Sequence, residues 1–235
     1  MIEIVDFASS SKGNCYLVRN EETIILLECG VDKKSLLKYL MGMGINIAQI
    51  NACLTTHSHT DHSLIVDYVS DYIDTYGTRE LHNKYNNIIE LESKKPIRIG
   101  TIKVLPISVE HASCENNAFI FLDKDSTIFF GTDFSLMEQN VSNFAFDKIY
   151  IECNYNDELL DMTLKENDEQ NYKYIRQVSA HLSSSNCILH LKHFNLSKCK
   201  EIVLLHPSSF LIGKKKTIEE FEATFNIPTR FAKEK

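Results

Sequence analysis

Several absences bound this chain of 235 residues before any motif is read. No apolar run approaches the roughly 20 residues a membrane-spanning helix requires, so no membrane partner is expected. The opening segment, MIEIVDFASSSKGNCYLV, lacks the succession of charge, apolar core and small residues that marks a secretory signal. The expectation is a soluble, cytoplasmic protein. There is no Cys-x-x-Cys pair, and the seven cysteines, at 15, 29, 53, 114, 153, 187 and 199, are odd in number. Most sit beside apolar residues, a pattern of buried free thiols in a reducing compartment and not of a disulfide frame or a cysteine metal site. A basic surplus is missing too: 25 Lys and Arg face 32 Asp and Glu, for a formal net charge of −7. Non-specific nucleic-acid binders usually carry the opposite balance, so such a substrate would need a local basic patch or a small footprint. No internal repeat, low-complexity linker or shift in composition divides the chain, and one domain over residues 1–235 is expected.

What is present is a core-forming composition, 43% hydrophobic. Short runs rich in Ile, Val, Phe and Tyr read as strands: IEIVDF, CYLV, TIILLE, NACLTT, IKVLPISV, AFIFL, STIFFG, KIYIE and EIVLL. Helical patterns follow several of them. DKKSLLKYLMGMG opens on an acidic cap and ends in glycine, SLIVDYVSDYIDTYG has apolar residues at helical spacing, SSSNCILHLKHFN begins with serine caps, and TIEEFEATFN is amphipathic. Hairpins come first, then strands alternating with helices, which predicts a layered α/β domain with helices covering the sheet faces.

The segment HSHTDH, residues 57–62, puts three histidines and an aspartate at the carboxyl end of the strand NACLTT, just before a helical pattern. Ligand sites gather at such strand ends in open α/β folds. In extended backbone residues two apart point to one side, so His57 and His59 can grip one ion together. Asp61 and His62, where the chain turns into the helix, point elsewhere and can hold a second. Imidazole and carboxylate donors suit zinc, iron or manganese.

This segment resembles the signature of the metallo-β-lactamase fold superfamily, and the resemblance implies a four-layer αββα sandwich with a two-metal site along one edge of its sheets. It also implies further ligands in a set order, and matching residues follow. His111 ends a strand in ISVEHAS, Asp133 follows a strand in IFFGTDFS, and His206 ends one in IVLLHPSS. On that resemblance His57, His59 and His111 hold one ion, Asp61, His62 and His206 the other, and Asp133 bridges them. Two divalent ions roughly 3.5–4 Å apart can share a hydroxide and bring its pKa towards about 7. Zinc is the expected metal, with manganese second.

Glu152, ending KIYIECNYN, and His181, in SAHLSSSNC, resemble the pair that marks the phosphodiesterase branch, of which ribonuclease Z is a member; there the pair handles the proton of the leaving oxygen. Catalytic roles are therefore expected for Asp61, Glu152 and His181. The nearest resemblance is to small single-domain bacterial nucleases of the YycJ (WalJ) type. It covers nearly the whole chain and is strongest at residues 50–62, 128–154 and 178–209. The family commonly has an aspartate where LLECG has Glu28, and HPSSF departs from its usual sequence after the last histidine, which puts substrate contacts from that loop in question. Neither the long tRNA-gripping arm of ribonuclease Z nor the inserted domain of the β-CASP nucleases has room here.

Four readings follow. The first is a binuclear phosphodiesterase, an exonuclease-like nuclease, in which a metal-bridging hydroxide attacks phosphorus and His181, oriented by Glu152, protonates the departing oxygen. The second is a cyclic-nucleotide phosphodiesterase of the compact ribonuclease Z-like type, which the acidic charge and absent arm suit. The third is a thioester, lactone or β-lactam hydrolase. The fourth is a metal-stabilised scaffold without catalysis. Lys214 and Lys215, with Lys216, form a charged run after His206 that reads as a solvated turn or as phosphate contacts. His190 and His193 read as a solvated or half-buried helix face, His82 as surface, and Ser9 to Asn14 as a loop at the mouth of the site. DNA, RNA and cyclic nucleotide stay open as partners, cleavage polarity stays open, and a homodimer is allowed.

Overall fold

The strand and helix patterns assemble into two stacked sheets covered by helices on both outer faces. The computed structural model describes residues 1–112, 114–166 and 179–234, so residue 178, where one stretch of family resemblance begins, lies outside the described residues. In the first sheet, β1 (Glu3–Ala8), β2 (Cys15–Arg19) and β3 (Ile24–Leu27) form an antiparallel meander. β4 (Ala52–Leu54), β5 (Thr75–Gly77) and β6 (Ile88–Glu90) then join in parallel, in spatial order β1 to β6. In the second, β7 (Ile97–Ile99), β8 (Ile102–His111), β9 (Cys114–Leu122) and β10 (Thr127–Gly131) are antiparallel. β11 (Lys148–Glu152), β12 (Glu201–Leu205) and β13 (Thr229–Phe231) extend it in parallel.

Side-chain alternation explains the layering. Along β10, Ile128 and Phe130 face the first sheet with Phe119, Phe121, Tyr150 and Val203, and meet Tyr16, Val18, Ile25 and Leu54 in one apolar cluster. The alternate residue Phe129, with Ile120, Ile149, Ile151 and Leu204, packs outward against helices α6 (Ser184–Leu191) and α7 (Lys214–Phe225) through Ile188, Leu191 and Phe221. The outer face of the first sheet, through Leu17, Leu26 and Cys53, is covered by α1 (Lys33–Gly42) and α3 (Val66–Ser70), by way of Leu36, Leu40, Val66 and Val69. Three apolar clusters between four layers are the αββα sandwich. The shorter helices are α2 (Thr60–Ser63), α4 (Arg79–Lys84) and α5 (Asp157–Glu166). Among the described residues no helix is long and apolar enough to cross a membrane.

All nine expected strands form. The helix expected over SLIVDYVSDYIDTYG does not run through. α2 already begins at Thr60, inside the histidine cluster, α3 ends at Ser70, and Thr75–Gly77 is β5. The TYG end is β-branched and aromatic, and it pairs with β4 (Leu54 opposite Tyr76) and β6 (Thr75 opposite Ile88), so sheet pairing overrides the helical spacing. α7 starts at Lys214, three residues ahead of TIEEF, so the three lysines form its first turn and not a loop. Asp32 caps α1 by accepting from Ser35 N, and Ser183 caps α6 by accepting from Asn186 N.

The carboxyl ends of the parallel strands lie at one edge of the sandwich, and there the backbone turns sharply. Glu28, Asp133 and His206 follow β3, β10 and β12 with φ of 64°, 54° and 51°, the left-handed region that costs a residue with a side chain roughly 1–2 kcal/mol. Three such residues at one edge mark a place where other contacts hold the backbone against its preference.

Candidate metal centre

Three loops of the first half and four strand ends of the second converge on that edge. The turn after β4 places His57, fully buried, against Thr56, whose hydroxyl lies 2.9 Å from His57 Nδ1. His57 Nε2 is then a buried nitrogen with no hydrogen-bond partner. His59 Nδ1 lies 3.1 Å from His111 Nε2, and His111 Nδ1 is fixed by Ala180 O at 3.0 Å. The three imidazoles stand 4.6 to 4.9 Å apart by ring centre. Their ligand atoms, with Cys114 Sγ, all lie within 4.8 Å of one another.

Beside them, Asp61, His62 and His206 form a second group of the same tightness, and His57, His62 and Asp133 a third. Asp133 sits between: its Oδ2 is 2.8 Å from His62 Nε2, and its Oδ1 is 3.3 Å from His206 Nδ1 and 3.4 Å from His181 Nδ1. Its left-handed backbone is held by Asn116, whose amide donates to the carbonyls of Thr132 and Asp133. Glu152, fully buried at the end of β11, accepts from Phe134 N and Leu182 N through Oε2 and from His181 Nδ1, at 2.6 Å, through Oε1. That contact leaves His181 Nε2 to face outward from a ring lying 5.3 Å from His206 and 5.4 Å from His111.

The two histidine groups differ electrostatically. Burial, and then the charge of His62, holds His57 well below its ordinary value, and burial lowers His111 as well. Both are neutral imidazoles ready to ligate. Burial works the same way on His62, His206 and His181, but carboxylates overcome it. Asp133 and Glu28 push His62 well up, Asp133, Asp61 and Glu152 push His206 up to about 10, and Glu152 raises His181. Burial would raise Asp61 and Asp133, yet hydrogen bonds and charge from these histidines hold both below the usual carboxylate range. Four acidic side chains, Glu28, Asp61, Asp133 and Glu152, thus converge around buried imidazoles and call for cationic charge. With three buried imidazole nitrogens that lack a hydrogen-bond partner, His57 Nε2, His62 Nδ1 and His206 Nε2, the donor set fits divalent metal.

Every expected ligand and both members of the Glu–His pair are therefore brought together. Lys214 and Lys215 are not: Lys214 pairs with Glu234 over the Phe231 ring, and Lys215, 93% exposed, lies 3.9 Å from Glu219. Ser9 and Asn14 are fully buried, with Ser9 Oγ accepting from His206 N and Asn14 Nδ2 2.9 Å from His62 Nε2, so the two ends of their loop underlie the site while Ser11 and Lys12 between them are exposed. His190 is half-buried against Phe134, and His193 and His82 are exposed, as expected. The sequence did not point to Thr56, Cys114, Asn116 or Asn154. Asn154 donates to His206 O at 2.8 Å. Each is a polar residue at the site end of an apolar strand, and that position was the available signal.

A model of the metallo-beta-lactamase superfamily matches residues 11–112. No curated protein matches the sequence. Among solved structures, the metallo-beta-lactamase fold protein YhfI from Bacillus subtilis is similar at 16% identity and a TM-score of 0.76, over 99% of this chain and 97% of that one. A diphosphatase of the PhnP family matches at 14% identity and 0.70, over 100% and 96%. Human tRNase Z, short form, matches at 16% and 0.64, over 89% and 93%. The superfamily model thus covers residues 11–112, and the chain shares the fold of these structures.

Proposed function

We propose that this metal-dependent hydrolase is a binuclear phosphodiesterase, with a nucleic acid as its first candidate substrate. The observation that carries the reading is the Glu152–His181 contact of 2.6 Å beside Asp133 and His206. His57, His59 and His111 would hold one divalent ion, Asp61, His62 and His206 another, with Asp133 between them. Zinc suits the donors best and manganese second. When bound, such ions supply Lewis-acid charge and acidify water. The chain's own residues do the rest. Glu152 keeps the Nδ1 proton of His181 in place and stabilises the imidazolium form. His181, 13% exposed by side chain, can present its Nε2 proton to a leaving alkoxide. Acyl transfer from a thioester has less need of such an acid, because a thiolate leaves without one. The diphosphatase and tRNase Z among the similar structures support a phosphoester substrate.

A second reading, a cyclic-nucleotide phosphodiesterase, is favoured by one observation. The basic run expected to greet a polymer backbone is engaged elsewhere: Lys214 meets Glu234, Lys215 meets Glu219, and Lys216 meets Glu158. Zinc- and manganese-loaded protein should be assayed in parallel on bis-p-nitrophenyl phosphate, labelled single-stranded DNA and RNA, cyclic mononucleotides and a glutathione thioester. Phosphodiester turnover should dominate, and on the nucleic acids and cyclic mononucleotides, whose leaving group is an alkoxide, it should fall about 10²–10⁴-fold in His181→Ala. Thioester turnover that exceeds it and survives His181→Ala would remove the phosphodiesterase reading.

A further inference from the structure

The hairpin that carries His111 also carries a thiol. His111 closes β8, Cys114 opens β9, and the two are directly opposed in the sheet register, so their side chains share a face. Cys114 is half-buried, and its Sγ lies within 4.8 Å of the ligand nitrogens of His57, His59 and His111. Of the seven cysteines, Cys114 alone joins a donor group among the described residues. Cys15, Cys29 and Cys53 lie in the apolar layer under α1, Cys153 and Cys187 lie in the layer under α6, and Cys199 donates to Glu201 O, whereas the Cys114 thiol donates to the carbonyl of His111 itself, at 3.5 Å. A second observation points to a ligand at the same place: His57, fully buried, spends Nδ1 on Thr56 and leaves Nε2 with no partner inside this group.

We propose that Cys114 is a fourth protein donor to the ion of His57, His59 and His111. The inference rests on the reading that this group holds metal, and it deepens it. Three imidazoles and one thiolate form a complete four-donor set, the kind that holds zinc firmly and leaves no place for water, so Asp133 would then serve the ion of Asp61, His62 and His206 and not bridge the two. A soft thiolate also selects zinc over manganese or magnesium. The two groups would then divide the work: the first ion fixes charge and binds the hairpin to the β4 turn, and the position open to water belongs to the group of Asp61, His62 and His206.

The test is cobalt(II) added to the full chain freed of metal, followed by absorption spectroscopy. The first equivalent should give a thiolate-to-cobalt charge-transfer band in the near ultraviolet, and Cys114→Ser should lose that band while keeping the visible bands of histidine-bound cobalt. Uptake of cobalt by the unaltered chain without the band would overturn the role of Cys114 and leave the histidine site standing. No uptake at all would overturn both. A band that persists in Cys114→Ser would assign the thiolate to another cysteine and overturn the proposal. A measurement independent of any variant is alkylation by iodoacetamide with peptide mapping. One equivalent of zinc should suppress modification of Cys114, and an unchanged rate would count against the proposal.

Discussion

The two halves of the sandwich follow one course and use it differently. β1 to β3 and β8 to β10 are antiparallel meanders, each continued by three parallel strands, β4 to β6 and β11 to β13. In the first half the donors crowd into a single turn after β4, residues 57–62. In the second they are dealt one to a strand end: His111 closing β8, Asp133 after β10, Glu152 closing β11 and His206 after β12. The turns after β3 and β10 carry corresponding acidic residues, Glu28 and Asp133, both left-handed. Asp133 reaches into the centre of the site, whereas Glu28 lies fully buried behind the ring, 3.4 Å from His62 Nδ1. One backbone device thus yields a candidate ligand in one half and a support for a ligand in the other. Neither half makes a complete site alone.

That mutual dependence is broken most severely by removing one donor from each half in turn. Asp61→Asn in the first half and His206→Ala in the second should each reduce turnover of bis-p-nitrophenyl phosphate by orders of magnitude, and metal content by elemental analysis should drop in both. Full activity in His206→Ala would mean that the first half suffices. Next in size is a substitution that touches no donor. A Cβ at Gly30 would stand 1.6 Å from Asp61 O and 2.6 Å from His62 N, while Asn14 N and Cys29 N donate to the carbonyls of Asp61 and His62 at 2.8 and 2.9 Å. Gly30→Ala must therefore push the Asp61–His62 backbone out of place, and a shift near 1 Å at such a site costs about 10²-fold in rate. Kinetics on folded, metal-loaded Gly30→Ala decide this, and unaltered turnover would show that the close approach has no bearing on the site.

The same contrast explains what could be read from the sequence. The first-half donors are legible from the residues alone, because extended geometry at a strand end fixes which of them share a side. The second-half donors are single polar residues tens of positions apart, and only a known order of motifs linked His111, Asp133 and His206 to the early cluster. The layered fold was legible because strands such as STIFFG are apolar on both faces, as burial between two layers demands. The break of the helix at Ser70 and the strand Thr75–Gly77 were not, since they depend on pairing with β4 and β6, which local spacing does not encode. Cys114 escaped for a similar reason: its place beside His111 is a matter of hairpin register.

The comparison of Glu28 with Asp133 is sharpened by removing charge without volume. Glu28→Gln leaves every candidate ligand in place and takes away the carboxylate behind His62, an outer partner of the kind whose loss costs about 10–100-fold in metal affinity or activity. Zinc affinity by competition with a chromogenic chelator should weaken by that order. If Glu28→Gln matches the unaltered chain, the buried carboxylate serves only to fill the turn after β3.

The smallest effect lies at the edge where the halves are tied together away from the metal centre. Asp6 on β1 accepts from both Nη1 and Nη2 of Arg230 on β13, each at 3.1 Å, and from Lys233 N at 2.6 Å. Burial alone would raise the Asp6 carboxyl, but the Arg230 hydrogen bonds and charge, with the Lys233 amide, hold it below its ordinary 3.8. A carboxyl with a lowered folded-state pKa binds fewer protons folded than unfolded, so its contribution is complete above the ordinary value and is lost as pH falls through the lowered one. Arg230 is 40% exposed by side chain, and solvent screening keeps the contribution to about 1 kcal/mol. Urea unfolding should find Asp6→Asn less stable than the unaltered chain by that amount at about pH 7, with the gap narrowing as pH falls below the ordinary carboxyl value and through the lowered one. A gap that stays the same size down the whole acid limb would assign the loss to packing at the β1–β13 edge, and the ionic tie between the halves would have no energetic standing.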